Sequence, residues 1–206
     1  MRTRELDIIN ELLHNIQPEY CLEWGSGLST VYFPKQISSL KTWYALEHHK
    51  GWYENVKNMI GGEKVQLHLV EPDDPDHFKL TGKYNPKREG LFDDFKTYIL
   101  SPKGFDKRFD FIFIDGRARK ECLKVAFELV SEKGVVVVHD ANRDDYFNDL
   151  PAFSSSFRLT DYRKHRKEGG IWIGKKQGEV NEILRTDLHS NLWKQHNLVA
   201  KLFFLR

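Results

Sequence analysis

The chain has 206 residues, 40% apolar and 13% aromatic, a composition that fits one globular domain of α/β size with room for a sizeable core. Its 32 basic and 30 acidic residues leave a formal net charge of +2, so nothing points to a polyanionic partner and nucleic acid is not expected. Only two cysteines occur, Cys21 and Cys122, both in apolar-patterned segments. That argues against a disulfide framework and for a reducing compartment. No signal-peptide core follows Met1, and no apolar run reaches membrane-spanning length. The expectation is a soluble, cytoplasmic protein of one domain, residues 1–206.

Residues 3–16 place Leu6, Ile9, Leu12, Leu13 and Ile16 at helical spacing, and Pro18 stops them. A strand is expected at Tyr20–Trp24. The stretch from Cys21 to Thr30 then reads as strand end, glycine turn and helix start. Gly25 and Gly27 permit backbone angles that a β-carbon forbids, and they let the main chain approach a ligand. Ser26 lies between them. Ser29 and Thr30 suit the opening of a helix expected to run to about Ile37, with Pro34 interrupting it. Glu23 places a carboxylate just before the turn. The dinucleotide fingerprint wants a third glycine where Thr30 stands, and Glu23 would repel a pyrophosphate. A cationic ligand matches better.

Residues 41–47 read as a second strand ending in Glu47, followed by His48. An acid about 20 residues past the glycine turn is placed to accept the hydroxyls of a ribose, and it would repel a 2′-phosphate. A helix is expected over Lys50–Met59, ended by Gly61 and Gly62, and a third strand over Lys64–Val70. Glu71 stands just past that strand. Residues 72–90, with Phe78 and Tyr84, are too irregular and long for an ordinary connection. With the short amphipathic stretch Leu91–Leu100 they form an insertion, residues 72–100, read as a lid.

Arg108–Asp115 is the strongest strand in the chain, nearly continuously apolar, as a central parallel strand buried on both faces must be. It ends in Asp115, Gly116 and Arg117. A helix is expected over Ala118–Val130 and a turn over Ser131–Gly134. Val135–Val138 then forms another central strand, closing in His139, Asp140, Ala141, Asn142 and Arg143. Glu23, Glu47, Asp115 and the His139–Asp140 pair therefore all stand at carboxyl ends of strands, where open α/β sheets bind ligands. Ser155–Asp161 and Gly170–Lys175 read as two last strands with a basic tip, Arg163–Lys167, between them. Residues 176–206 are a helical extension whose apolar end, Leu202–Leu205, calls for a core of its own or a second subunit.

The pattern Glu23-x-Gly25-x-Gly27 resembles the first motif of Rossmann-like S-adenosylmethionine-dependent methyltransferases. The two apolar strands ending in Asp115-Gly116-Arg117 and His139-Asp140 resemble those of small-molecule O-methyltransferases. The resemblance spans about Tyr20 to Tyr146. It implies a three-layer α/β sandwich on a mostly parallel seven-stranded sheet with an antiparallel last strand. It further implies a donor site at Glu23, Gly25, Ser26, Gly27, Ser29, Thr30, Glu47, His48, Glu71, Asp115, Gly116 and Arg117. The acceptor implied is a small molecule or a carbohydrate, since His139-Asp140-x-Asn142-Arg143 also resembles a strand end of plant polysaccharide glucuronate methyltransferases. His139 is the first candidate for general base, with Asp140 as second base or as the group that orients the acceptor, and Asp115 is the third candidate catalytic residue. Catechol-type O-methyltransferases hold magnesium with acids at these two strand ends. Asp115 and Asp140 match, and Ala141 stands at the Asn position, so Mg²⁺ or Mn²⁺ is a candidate cofactor. An NAD-dependent oxidoreductase and a non-catalytic binding module on the same fold are the competing readings.

Overall fold

The computed structural model describes residues 1–76, 89–162 and 168–204. Seven strands form one sheet: β1 (Tyr20–Trp24), β2 (Thr42–Glu47), β3 (Val65–Leu69), β4 (Phe109–Ile114), β5 (Val130–His139), β6 (Ser155–Leu159) and β7 (Ile171–Lys175). Their order across the sheet is β3-β2-β1-β4-β5-β7-β6. β1 to β5 run parallel, while β7 is antiparallel to both β5 and β6 and is inserted between them. Strand order reverses between β1 and β4, the position at which open α/β sheets form their binding crevice.

The helices are α1 (Thr3–Ile16), α2 (Leu28–Tyr32), α3 (Lys50–Met59), α4 (Lys96–Leu100), α5 (Arg119–Leu129) and α6 (Thr186–Phe204). The alternation of side chains along each central strand feeds two cores. On one face Ile112, Ile114, Val136 and Val138 pack with Leu22, Trp24, Phe95 and Tyr98, and with Cys122 and Leu123 of α5. On the other, Phe111, Phe113, Val135 and Val137 pack with Ile8, Ile9, Leu12 and Leu13 of α1 and with Trp193 of α6. The sheet is thus covered on both sides, which is why β4 and β5 read as unbroken apolar runs.

Three elements differ from expectation. The helix after the glycine turn is α2 plus a 3₁₀ turn over Phe33–Gln36, because Pro34 has no N–H for an α-helical bond. The turn expected at Ser131–Gly134 belongs to β5, which pairs with β4 from Val130 onward through a bulge between Phe109 and Phe111. The stretch expected as a lid is split. Residues 93–100 are a 3₁₀ turn running into α4, and Phe95, Tyr98 and Ile99 are fully buried, so this part is core wall. Residues 77–88, with Phe78 and Tyr84, lie outside the described residues, as do the basic tip Arg163–Lys167 and Leu205. Among the described residues no helix is long and apolar enough to cross a membrane. α6 carries Leu188, Leu192, Leu198, Val199 and Leu202 exposed to solvent.

Candidate active site

The floor of the crevice is made where two turns meet. Gly25 has a φ of +93°, and a β-carbon there would stand 2.4 Å from the Gly116 Cα. A β-carbon on Gly116 would in turn meet the Tyr98 hydroxyl at 2.1 Å. The turns after β1 and β4 can close on each other only as glycines. Backbone bonds fix them to their neighbours: the Gly25 N–H donates to the Leu46 carbonyl (2.9 Å) and the Asp115 N–H to the Trp24 carbonyl (2.8 Å). Gly27 is different. Its φ of −178° is extended backbone open to any residue, so the expected special angle is absent. Its missing side chain simply leaves the wall open.

Above this floor lies a cleft of about 560 Å³, a volume typical of small-molecule sites. Gly25, Ser26, Gly27, Leu28 and Ser29 form one wall, and Glu47, His48, His49 and Trp52 form another. Asp115, Gly116, Arg117 and Arg119 form the third, with Met1 at the margin.

Glu47 is buried at the end of β2 yet reaches the cleft. One carboxylate oxygen accepts the N–H groups of His48 (2.9 Å) and His49 (2.8 Å), and the other accepts the Ser26 hydroxyl (3.0 Å). Burial acts to raise its pKa. The His48 side chain, 3.0 Å away, with the His49 N–H and Ser26, more than offsets burial and holds the carboxyl below the usual range. Trp52, on the first turn of α3, donates its indole N–H to the Ser26 carbonyl at 2.7 Å and leaves much of its ring on the cleft. Sequence reading missed it, since an aromatic on a helix face carries no local mark of a site.

Glu23 does not reach the cleft. It is fully buried and accepts hydrogen bonds from Ser29, from Thr30 (2.7 Å) and from the Trp43 indole (2.8 Å). Burial dominates these donors and pushes the carboxyl up to about 7. Its expected role as a ligand-facing acid is therefore corrected: its carboxylate ties α2 to β1 and β2. Thr30, also fully buried, bridges Glu23 and the Gly27 N–H (2.9 Å) and does not line the cleft. Glu71 is exposed beyond β3 and does not line it either.

The second expected cluster is an ion network. Asp115 Oδ1 receives the Arg119 guanidinium (3.2 Å) and His139 Nδ1 (2.9 Å). Its other oxygen, Oδ2, makes no hydrogen bond among the described residues. Arg119, buried at the start of α5, also reaches Asp140 Oδ2 (3.1 Å) and Glu89 (3.7 Å). Glu89 is further paired with Arg143. Asp140, held at a left-handed φ of +59°, accepts the Gly169 N–H at 2.7 Å. Burial opposes its ionisation, but Arg119 first and then His139 keep its carboxyl below the usual range.

His139 sits between carboxylates on both ring nitrogens, with Nε2 3.2 Å from Glu5 of α1. Burial alone would lower its pKa. The charge and hydrogen bond of Asp115, then Glu5 and Asp140, outweigh burial and push it up to about 10. An imidazolium that donates from both nitrogens has no lone pair for a substrate proton. His139, expected as general base, has both ring nitrogens turned to carboxylates and does not line the cleft, and neither does Asp140, whose oxygens bind Gly169 and Arg119. Of the three expected catalytic residues, only Asp115 does. Glu5 had no signal in the sequence, because nothing local shows that α1 begins beside the end of β5. Asn142, one residue beyond the expected metal-ligand position, is used elsewhere: its amide donates to the Glu168 carbonyl (2.9 Å) and accepts the Asp161 N–H (2.9 Å).

No protein-family model matches this sequence, and no curated protein matches it by sequence. Solved structures match by shape. The O-methyltransferase TomG from Streptomyces achromogenes, solved with S-adenosylmethionine, has a TM-score of 0.53 at 16% identity over 86% of this chain and 82% of its own. The O-methyltransferase from Bacillus cereus, solved with S-adenosylhomocysteine, gives 0.53 at 17% over 85% and 83%. A methyltransferase-like protein from Silicibacter pomeroyi gives 0.53 at 18% over 92% and 95%. Spermidine synthase also matches, at 0.53 and 10% identity, with this chain spanning 61% of its length. The strand order and the inserted antiparallel β7 give this chain the Rossmann-like α/β fold that these methyltransferases share with spermidine synthase.

Proposed function

We propose that the protein is an S-adenosylmethionine-dependent methyltransferase acting on an oxygen of a small molecule or sugar. The observation that carries this reading is Glu47: an ionised carboxylate, fixed by three donors, on a cleft floored by the Gly25–Gly116 contact. In this reading Glu47 accepts the ribose hydroxyls, and the bare Gly25–Gly27 backbone makes room for the rest of the donor, with Ser26, Ser29, His48 and Arg117 around it. Bound there, the donor supplies a sulfonium methyl group for in-line displacement. The chain's main contribution is to hold both reactants in line, which can supply about 7–11 kcal/mol of the barrier. With His139 held as imidazolium, the free Oδ2 of Asp115 is the group that receives the acceptor's hydroxyl proton.

A thermal melt with S-adenosylhomocysteine, and with NAD in parallel, tests it. Ligand at about a hundred times its dissociation constant adds about 2.7 kcal/mol, which for this size raises the midpoint by roughly 5–10 °C. The expected result is a shift with S-adenosylhomocysteine that Glu47→Ala abolishes. A shift with NAD alone would overturn the reading, and no shift with either would leave a non-catalytic module.

A further inference from the structure

One ligand atom each of Asp115, His139 and Asp140 lie within 4.8 Å of one another, a spacing that would suit a divalent cation. Two of the three are already committed to a permanent cation. The Arg119 guanidinium spans Asp115 Oδ1 (3.2 Å) and Asp140 Oδ2 (3.1 Å), and it is itself buried. The third, His139, directs Nδ1 at Asp115 and Nε2 at Glu5, so both of the nitrogens that could ligate a metal face carboxylates. The Asn142 amide, a candidate oxygen ligand by sequence, is turned to the Glu168 carbonyl and the Asp161 N–H. The donor set therefore does not fit a metal as it stands.

We propose that Arg119, backed by His139, is a built-in cation that occupies the place between Asp115 and Asp140 where a divalent metal would sit, so that these strand-end acids do not bind Mg²⁺ or Mn²⁺. A guanidinium suits this place: it is always charged, and its planar fork can reach two carboxylates at once. It also fixes the side chain of Asp115, the acid that faces the cleft, with no ion to acquire or lose. Glu89 and Arg143 extend the pairing on one side and Glu5 on the other. The inference concerns the acids and Arg119 alone, so it stands or falls independently of the donor.

The test is a titration of the whole protein with Mn²⁺, read by the paramagnetic resonance signal of the free ion, with thermal melts alongside. The wild-type protein is expected to take up no Mn²⁺ at the cleft and to show no rise in melting temperature. Arg119→Ala, which leaves the acids without their cation, is expected to bind Mn²⁺ about tenfold or more tighter than wild type, and to be stabilised by it. Should Arg119→Ala fail to fold, Arg119→Gln, which keeps hydrogen-bonding capacity without charge, takes its place and is read the same way. Uptake by wild type that Asp140→Asn abolishes would overturn the proposal. So would a folded, uncharged Arg119 variant that takes up no Mn²⁺. Uptake by wild type that Asp140→Asn leaves unchanged belongs to another surface and counts with the proposal.

Discussion

Glu23 and Glu47 stand at the ends of adjacent parallel strands, two residues apart in pairing, and their surroundings send them in opposite directions. Both are almost wholly buried. Glu47 has two backbone N–H groups and a histidine beside it, and it stays ionised. Glu23 has two hydroxyls and an indole, too little to offset full burial, and its carboxyl titrates at about 7. A neutral amide can keep most of the Glu23 bonds, because the Ser29 hydroxyl can accept as well as donate. Glu23→Gln is therefore expected to change stability by no more than about 1 kcal/mol and to leave S-adenosylhomocysteine affinity nearly unchanged. Calorimetric titration of this variant beside Glu47→Gln separates the two roles. A large loss at Glu23→Gln would return that carboxylate to the binding site.

At the scale of elements, the informative segment is the 3₁₀ turn Asp93–Phe95 with α4. Its amphipathic pattern is legible in the sequence, but the same pattern serves a lid or a wall. Packing decides: Phe95 contacts Tyr98 with ring centroids 5.8 Å apart and His48 at 5.7 Å, with no exposure. Tyr98 in turn lies under Gly116. α4 thus supports the cleft from below. Phe95→Ala is expected to cost about 3–5 kcal/mol in urea unfolding, a core value. A lid residue would change ligand kinetics and leave the unfolding midpoint in place.

At the scale of the whole molecule, His139 joins α1, β4 and β5 through Glu5, Asp115 and its own strand. Its folded pKa, about 10, lies above its ordinary value near 6.5. The folded state therefore binds a proton that the unfolded chain has released. The stabilisation is complete below about pH 6.5 and is lost as the pH rises through about 10, amounting to a few kcal/mol over that window. Urea midpoints of wild type measured from pH 6.5 to 10 are expected to fall relative to those of His139→Gln. Parallel curves for the two proteins would contradict the imidazolium assignment.

The sequence by itself determined the sheet, the glycine turn and the acids at four strand ends. These follow from local rules: apolar runs that only a doubly covered strand needs, glycines where two turns must touch, and proline stops. What each acid does was left to the tertiary structure. Glu47 and Asp115 open onto the cleft, whereas Glu23 and Asp140 are turned into protein bonds, although all four occupy similar places in the pattern. The difference arises from partners far away in the chain. Trp43 reaches Glu23 from β2, Arg119 reaches Asp140 from α5, and Glu5 reaches His139 across 134 residues. Charge and hydrogen bonding act through space, so a strand end can be read from its own residues, but its protonation state and its ligand depend on neighbours that only folding supplies.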